Sequence, residues 1–115
     1  MAALMNEAQT QVFLSDLVVA SNPWTRMKGL LGTKDLSFSA GMFFPGANSI
    51  HTFFMNYALD LVFLDSNMKV KALKRNVVPG KMVWPVWGAS SVLELKSGAI
   101  DRLGFNLGDG LYVRP

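Results

Sequence analysis

Hydrophobic and polar residues alternate along much of the chain, and this pattern predicts strands separated by turns. The alternation is clearest over residues 68–75, which follow the turn-forming sequence Asp-Ser-Asn at 65–67 and are expected to complete an antiparallel hairpin. Apolar content and turn signals predict further strands over 11–20, 41–44, 50–57, 59–65, 91–96 and 111–113. The chain is therefore predicted to be mainly β.

Two segments carry the signals of a helix. Residues 23–31 follow Asn22, a good amino-terminal cap, and precede Gly32, which suits the left-handed end of a helix. Residues 97–103 allow one or two helical turns, because Gly104 provides a similar stop. The predicted fold class is mixed α+β, mainly β: a small twisted sheet or a partly closed β-barrel, with one helix in the amino-terminal half and a short carboxy-terminal helical turn.

Composition supports a single domain. A chain of 115 residues, 50% hydrophobic and 17% charged, is long enough for one core. We assign residues 1–115 to one domain, with residues 1–10 as a candidate flexible amino-terminal segment, and expect a monomer. The net charge of +3 permits an anionic partner without requiring one, and no sequence motif indicates nucleic acid, which we do not expect as a partner.

The composition also bears on the compartment. The absence of cysteine excludes disulfides and cysteine metal sites but leaves the redox environment open. No apolar run approaches the roughly 20 residues of a membrane span, and the first residues lack the pattern of a signal peptide. For the sequence as given we expect a cytoplasmic protein, or a periplasmic or exported one if a leader has been removed.

The segment 50–65 is the most informative part of the chain, because three polar residues, His51, Asn56 and Asp60, interrupt an otherwise apolar run. In residues 59–65 both alternating faces are apolar, which is typical of a strand covered on both sides. Asp60 is therefore expected to be shielded from water. If one strand ran unbroken through the segment, the odd separation of His51 and Asp60 would place them on opposite faces.

Four blocks carry recognisable motifs: TRMKGLLG at 25–32, GMFF at 41–44, IHTFFMNYALDLVFLD at 50–65 and VLELKSGAIDRLGFNLGDGLYV at 92–113. In this order and spacing they resemble a family of small bacterial and archaeal proteins known as domain of unknown function 192. The resemblance implies a compact mixed fold, mainly β with short helices, and an exported location in relatives that carry a leader. It matches Arg26, Asp60 and Glu94 to the family's arginine and acids, and His51 to part of the family.

Arg26, Asp60 and Glu94 are the charged residues within the most apolar blocks. A buried charge without a partner is costly enough that it is neutralised or paired. We therefore predict that Arg26 pairs with Asp60, Glu94 or both, in a structural ion pair that fixes the first helix against the sheet.

Two classes of function remain open. The preferred hypothesis is a non-catalytic module that binds an unknown small molecule or protein in a groove formed by parts of the 41–65 block and a loop with two tryptophans. Its ligand-binding candidates are His51, Met55, Asn56, Trp84 and Trp87. The tryptophans follow Lys74, Arg75 and Lys81 in the chain, and aromatics beside cations can stack on bases or sugars or anchor a protein partner. We nevertheless expect the loop to fold over the edge of the barrel with both indoles half buried.

The alternative hypothesis is a small hydrolase-like enzyme that uses His51 with Asp60. His51 is the only histidine, and Ser49, Thr52 or Ser91 would have to supply a hydroxyl group. No nucleophile motif surrounds these hydroxyl residues. Because His51 also has no recognisable ligand spacing to the acids or methionines, neither a metal site nor a cofactor is expected.

Overall fold

The computed structural model describes residues 2–20, 36–52 and 55–115, except for the side chain of His51. Over these residues the chain forms nine strands and one short helix. In chain order they are β1 (Ala2–Asn6), β2 (Val12–Val19), β3 (Ala40–Pro45), β4 (Ile50–His51), β5 (Leu59–Leu64), β6 (Val70–Val77), β7 (Met82–Val83), β8 (Ser91–Lys96), α1 (Ala99–Leu103) and β9 (Leu111–Arg114).

Seven of these strands form one large sheet in the order β6-β5-β8-β3-β2-β1-β9, and β4 pairs with β7 in a separate two-stranded sheet. Neighbouring strands of the large sheet are antiparallel except β2 and β3, which are parallel. A parallel pair requires a crossover connection, which here comprises residues 20–39. The helix predicted over 23–31 falls in this connection, outside the residues that the structure describes.

The large sheet is covered on both faces, as the apolar alternation of β5 predicts. All six residues of β5 are buried, and its five apolar residues are divided between two hydrophobic clusters, one on each face. On one face, which we call the helix face, Val62 packs in a cluster with Ile100 of α1. On the other, the small-sheet face, Leu61 belongs to a cluster that contacts Ile50 of β4 and Val83 of β7. A polar side chain of β5 is therefore buried, whichever face of the sheet it lies on.

The mainly β mixed fold and the short carboxy-terminal helix predicted from the sequence are confirmed. The barrel form of the prediction is wrong, because the sheet is open. Among the described residues the two ends of the sheet approach each other only where β6 and β9 begin, through an isolated bridge between Lys69 and Gly110 and three backbone hydrogen bonds between residues 68–70 and 108–111. A closed barrel needs a continuous ladder between its first and last strands. The candidate flexible segment 1–10 contains β1, which pairs with β2 on one side and with β9 on the other.

The predicted hairpin after β5 is present, and an aspartate organises its turn. Asp65 Oδ1 accepts hydrogen bonds from the N–H groups of Asn67 at 2.8 Å and Lys69 at 3.0 Å. The bond from Lys69 is the main cause that lowers the pKa of the Asp65 carboxyl; burial opposes it, while the N–H of Asn67 and the charge of Lys71 add to it. The carboxylate form of Asp65 is therefore the form that stabilises the turn.

Candidate functional site

Asp60 lies in β5 on the helix face and is 1% exposed. Its carboxylate accepts three backbone hydrogen bonds: Oδ1 from the N–H of Asn76 at 2.9 Å, and Oδ2 from the N–H groups of Gly98 at 3.1 Å and Ile100 at 2.9 Å. Several such donors can satisfy a buried carboxylate without a cation. The described contacts of Asp60 are those of a structural acceptor.

These donors belong to different elements, so Asp60 joins β5 to β6 and to α1. Gly98 precedes α1 in a left-handed conformation (φ 96°) and has no side chain with which to cap the helix, so the carboxylate from β5 takes that role. Asn76 also has a positive φ (52°), beside a register shift between β5 and β6. Its side-chain oxygen accepts a hydrogen bond from the hydroxyl of Ser97 at 2.9 Å, which ties the same two regions together.

Glu94 is also buried, at 3% exposure, but it lies on the other face of the sheet. Glu94 stands opposite Leu61 of β5, whereas Asp60 stands opposite Leu95, and residues directly opposite each other share a face. The two acids therefore point to different sides of the sheet, so one arginine side chain cannot pair with both. Arg26, the predicted partner, lies outside the described residues, and its pairing with either acid stays a prediction.

The backbone of His51 lies in β4 opposite Met82 of β7, and its side chain lies outside the described part of the structure. The adjacent Ile50 packs onto the small-sheet face, whereas Asp60 is on the helix face. The large sheet thus separates β4 from the carboxylate that the hydrolase hypothesis requires. The hydroxyl of Thr52, one of its possible hydroxyl partners, is fully buried and bonded to backbone.

Met55 and Asn56, both proposed as ligand-binding residues, lie in different environments. Met55 is 8% exposed and belongs to the hydrophobic cluster on the small-sheet face. Asn56 is exposed. Met55 is therefore a core residue, while Asn56 remains accessible to a ligand.

Residues 78–89, which we call the tryptophan loop, are anchored by a threonine from the 50–65 block. Thr52 Oγ1 donates a hydrogen bond to the carbonyl of Val78 at 2.8 Å and accepts one from the N–H of Lys81 at 2.9 Å. Backbone bonds reinforce the anchor, from the N–H of Thr52 to the carbonyl of Lys81 at 2.8 Å and from the N–H of Gly80 to the carbonyl of Thr52 at 2.9 Å. The sequence did not indicate this role, because one threonine beside an apolar run has no distinctive pattern.

The tryptophan loop has an inner and an outer side. Val83, Val86 and Ala89 pack against the cluster on the small-sheet face. Between them, Trp84 is 81% exposed and Trp87 is 95% exposed. The expectation that both indoles would be half buried is wrong, because the smaller apolar side chains occupy the inner positions.

The outer side of the loop carries two further apolar side chains. Met82 is 57% exposed and Val78 is 43% exposed. In β7 the alternation that turns Val83 inward turns Met82 outward, to the same side as Trp84. A shallow cleft of about 380 Å³ lies beside these residues and is lined by Asn48, Pro85, Val86, Trp87 and Gly88.

The surroundings of the loop are positively charged. Residues 66–93 contain five lysines and arginines and no acid. Two of the five form salt bridges with acids from elsewhere in the chain, namely Lys69 with Glu7 and Arg75 with Asp101. The other three are exposed, and the structure gives them no salt bridge within its described residues: Lys71, Lys74 and Lys81.

Two of these lysines lie close to the loop. A Cβ atom added at Gly88 would lie 3.0 Å from Cε and 3.6 Å from Nζ of Lys71, so the ammonium group lies beside Gly88, the residue that follows Trp87. Lys81 is itself a loop residue. Lys74 stands opposite Leu61, so it projects toward the small-sheet face on which the loop lies. Exposed indoles therefore share one region of the surface with lysines that form no salt bridge among the described residues.

Two further kinds of feature, grouped metal ligands and membrane-spanning helices, are absent from the part of the chain that the structure describes. Within residues 2–20, 36–52 and 55–115, no three histidine or acidic side chains are grouped so that they could hold a metal ion. In the same ranges no helix has the length and apolar character needed to cross a bilayer. A second cleft, of about 680 Å³, lies at the outer edge of β6 and is lined by Lys71, Ala72, Leu73, Arg75, Asn106 and Leu107.

The fold described above is that of a small, mainly β domain with an exposed aromatic loop on one face. The family model DUF192, described as "Uncharacterized ACR", matches residues 4–113. The chain therefore belongs to the DUF192 family. It is 32% identical over 110 residues to a UPF0127 protein from Thermococcus sibiricus, an alignment that covers 92% of this chain and 71% of the relative.

Two solved structures have a similar fold. A protein of unknown function from Novosphingobium aromaticivorans is 26% identical, with a TM-score of 0.73 and coverage of 96% of this chain and 82% of that protein. A protein from Sinorhizobium meliloti described as a "putative transcription regulator" is 25% identical, with a TM-score of 0.72 and coverage of 97% and 91%. These likenesses support the fold and the family membership.

Proposed function

We propose that this protein is a non-catalytic binding module whose recognition surface is the outer side of the tryptophan loop. The observation that carries the proposal is the exposure of Trp84 (81%) and Trp87 (95%). Indoles combine a large apolar surface with one polar N–H, and they are enriched at sites where a partner covers them. Because Val83 and Val86 make the core contacts of the loop, folding does not account for the tryptophans.

The loop also has the rigidity expected of a binding surface. Thr52 fixes its start through side-chain and backbone hydrogen bonds, and Pro79 and Pro85 restrict the backbone within it. A surface that is ordered before binding loses less conformational entropy when a partner arrives. This supports binding over a role as a mobile connection.

The hydrolase alternative receives no support from the described contacts. Asp60 is bonded to three backbone N–H groups on the face of the sheet opposite β4. The name of the similar Sinorhizobium protein raises nucleic acid as a ligand class, and a tryptophan next to lysines is compatible with base stacking. An oligonucleotide therefore belongs among the probes.

The test is a titration of defined probes against the wild type and the Trp84→Ala/Trp87→Ala double variant. The probes are anionic phospholipid vesicles, a single-stranded oligonucleotide, a glutamate-rich peptide and a metabolite library read by thermal shift. We expect at least one probe to bind saturably and to lose that binding in the double variant. The matched control is Val12→Ala/Leu107→Ala, which trims two exposed apolar side chains outside the loop. If no probe binds, or if binding survives loss of both indoles, the proposal is wrong.

A further inference from the structure

We infer that the partner of the tryptophan loop is the surface of an anionic phospholipid bilayer, onto which the domain docks peripherally. This inference rests on the proposed function above and names its ligand. It starts from the chemistry of the outer side of the loop, which combines aromatic, aliphatic and cationic groups.

The apolar side chains of the loop have the composition of an interfacial anchor. Four of them, Trp84, Trp87, Met82 and Val78, are between 43% and 95% exposed. Tryptophan prefers the headgroup region of a bilayer, where its ring meets apolar chains and its N–H meets water or headgroups. Methionine and valine side chains can insert into the adjoining acyl layer, because the fluid acyl chains accommodate apolar groups of any shape.

The charges around the loop complement an anionic surface. Lys71 and Lys81 lie at the loop and Lys74 projects toward the same face of the sheet, while residues 66–93 contain no acid to repel a negative headgroup. Each basic side chain near an anionic bilayer strengthens binding about fivefold at ordinary ionic strength. Three such lysines supply a substantial electrostatic contribution without a transmembrane helix.

The same observations favour a bilayer over a macromolecule in solution. The side chains of Met82 and Val78 have no ring that could stack on a base, and three exposed lysines are few for a groove that tracks a phosphate backbone. Protein interfaces are depleted in lysine at their centres, and the cleft beside Trp87 is shallow. A bilayer requires only that apolar groups protrude together with cations around them, which is the arrangement of this loop.

The deciding experiment is co-sedimentation of the full chain with vesicles of phosphatidylcholine alone and with vesicles that also contain phosphatidylglycerol. We expect binding to the anionic vesicles, with a blue shift of tryptophan emission, and a large loss of binding at about 1 M salt, where the Debye length is roughly 3 Å. Trp84→Ala/Trp87→Ala should weaken binding at least about tenfold, because both anchors are removed. Val12→Ala/Leu107→Ala should bind as the wild type does.

A second pair of variants separates the role of charge from that of side-chain length. Lys71→Gln/Lys81→Gln should weaken binding about tenfold or more, whereas Lys71→Arg/Lys81→Arg should retain it, because the charge is kept. Binding that survives loss of the indoles, or that does not distinguish anionic from neutral vesicles, overturns the inference. If the vesicles do not bind but the oligonucleotide or peptide binds in a Trp84- and Trp87-dependent way, the bilayer inference is wrong and the binding-module proposal stands.

Discussion

Replacement of Asp60 with asparagine tests whether this buried carboxylate is a structural junction. The carboxylate accepts one N–H on Oδ1 and two on Oδ2, whereas an asparagine amide has a single acceptor oxygen. If that oxygen faces α1, the amide NH₂ group faces the N–H of Asn76, so one hydrogen bond is lost and two donors oppose each other. If it faces Asn76, the two bonds to Gly98 and Ile100 are lost.

The structure allows the expected loss of stability to be worked out. A hydrogen bond to a charged group contributes about 1.5–3 kcal/mol, and leaving a buried donor without an acceptor costs a further 1–3 kcal/mol or so. The better orientation of Asp60→Asn should therefore lower the free energy of unfolding by about 2.5–6 kcal/mol, a large part of the roughly 5–15 kcal/mol typical of a domain. Guanidinium unfolding followed by circular dichroism measures this difference.

The matched control is Asp101→Asn, which removes a carboxylate from an exposed pair with Arg75, where side chains are 72% and 50% exposed. Such surface pairs contribute about 1 kcal/mol or less, so this variant should unfold close to the wild type. An Asp60→Asn variant within about 1 kcal/mol of the wild type would refute the reasoning, because even the better orientation loses one buried hydrogen bond to a charged group and leaves the N–H of Asn76 without an acceptor.

The Asp60→Asn variant also tests the predicted ion pair of Arg26. Because Asp60 is satisfied by backbone donors and faces away from Glu94, we expect Arg26 to couple energetically with Glu94 rather than with Asp60. In double-mutant cycles, Arg26→Gln with Glu94→Gln should deviate from additivity by about 1 kcal/mol or more, and Arg26→Gln with Asp60→Asn should be additive. Strong coupling between Arg26 and Asp60 would contradict this assignment.

Three further predictions concern the turn, the sheet and the loop. Asp65→Asn should lower the free energy of unfolding near neutral pH. In acid unfolding, the difference from the wild type should shrink as pH falls below about 4, because a carboxyl whose pKa is lowered in the folded state stabilises the protein only while it is ionised. A difference that does not depend on pH would contradict this prediction. Gly41→Ala should lower the free energy of unfolding by about 1–3 kcal/mol in urea, since the new Cβ would lie 2.8 Å from Leu14 Cδ1 and 3.0 Å from the carbonyl oxygen of Glu94. No change in stability would mean that these neighbours can shift to admit a methyl group without cost. Thr52→Val should speed amide hydrogen exchange at Lys81, because the N–H of Lys81 donates to the hydroxyl that is removed. Exchange in the turn at Asp65 should change little and serves as the internal control. Unchanged exchange at Lys81 would show that the hydroxyl does not anchor the loop.

Much of the fold could be predicted because it depends on local patterns. Alternation with a period of two identified strands near the positions observed, and the glycine at 104 ended the short helix as expected, with φ 76°. The strand around Asp60 was predicted to be covered on both faces, and all six of its residues are buried. β1 was missed because its first four residues, 2–5, are apolar without alternation, which is the pattern of a strand covered on both faces but also of a buried helix.

The sequence alone determined the mainly β class of the fold and the burial of both faces of β5, because hydrophobic periodicity and turn chemistry act over a few residues. Only the tertiary structure decided which groups the buried side chains contact. The donors to Asp60 come from 16, 38 and 40 positions away, so no local pattern could reveal them. The same holds for Trp84 and Trp87: valine and tryptophan are both apolar in the sequence, and packing against the sheet gave the inner positions to the valines and left the indoles outside.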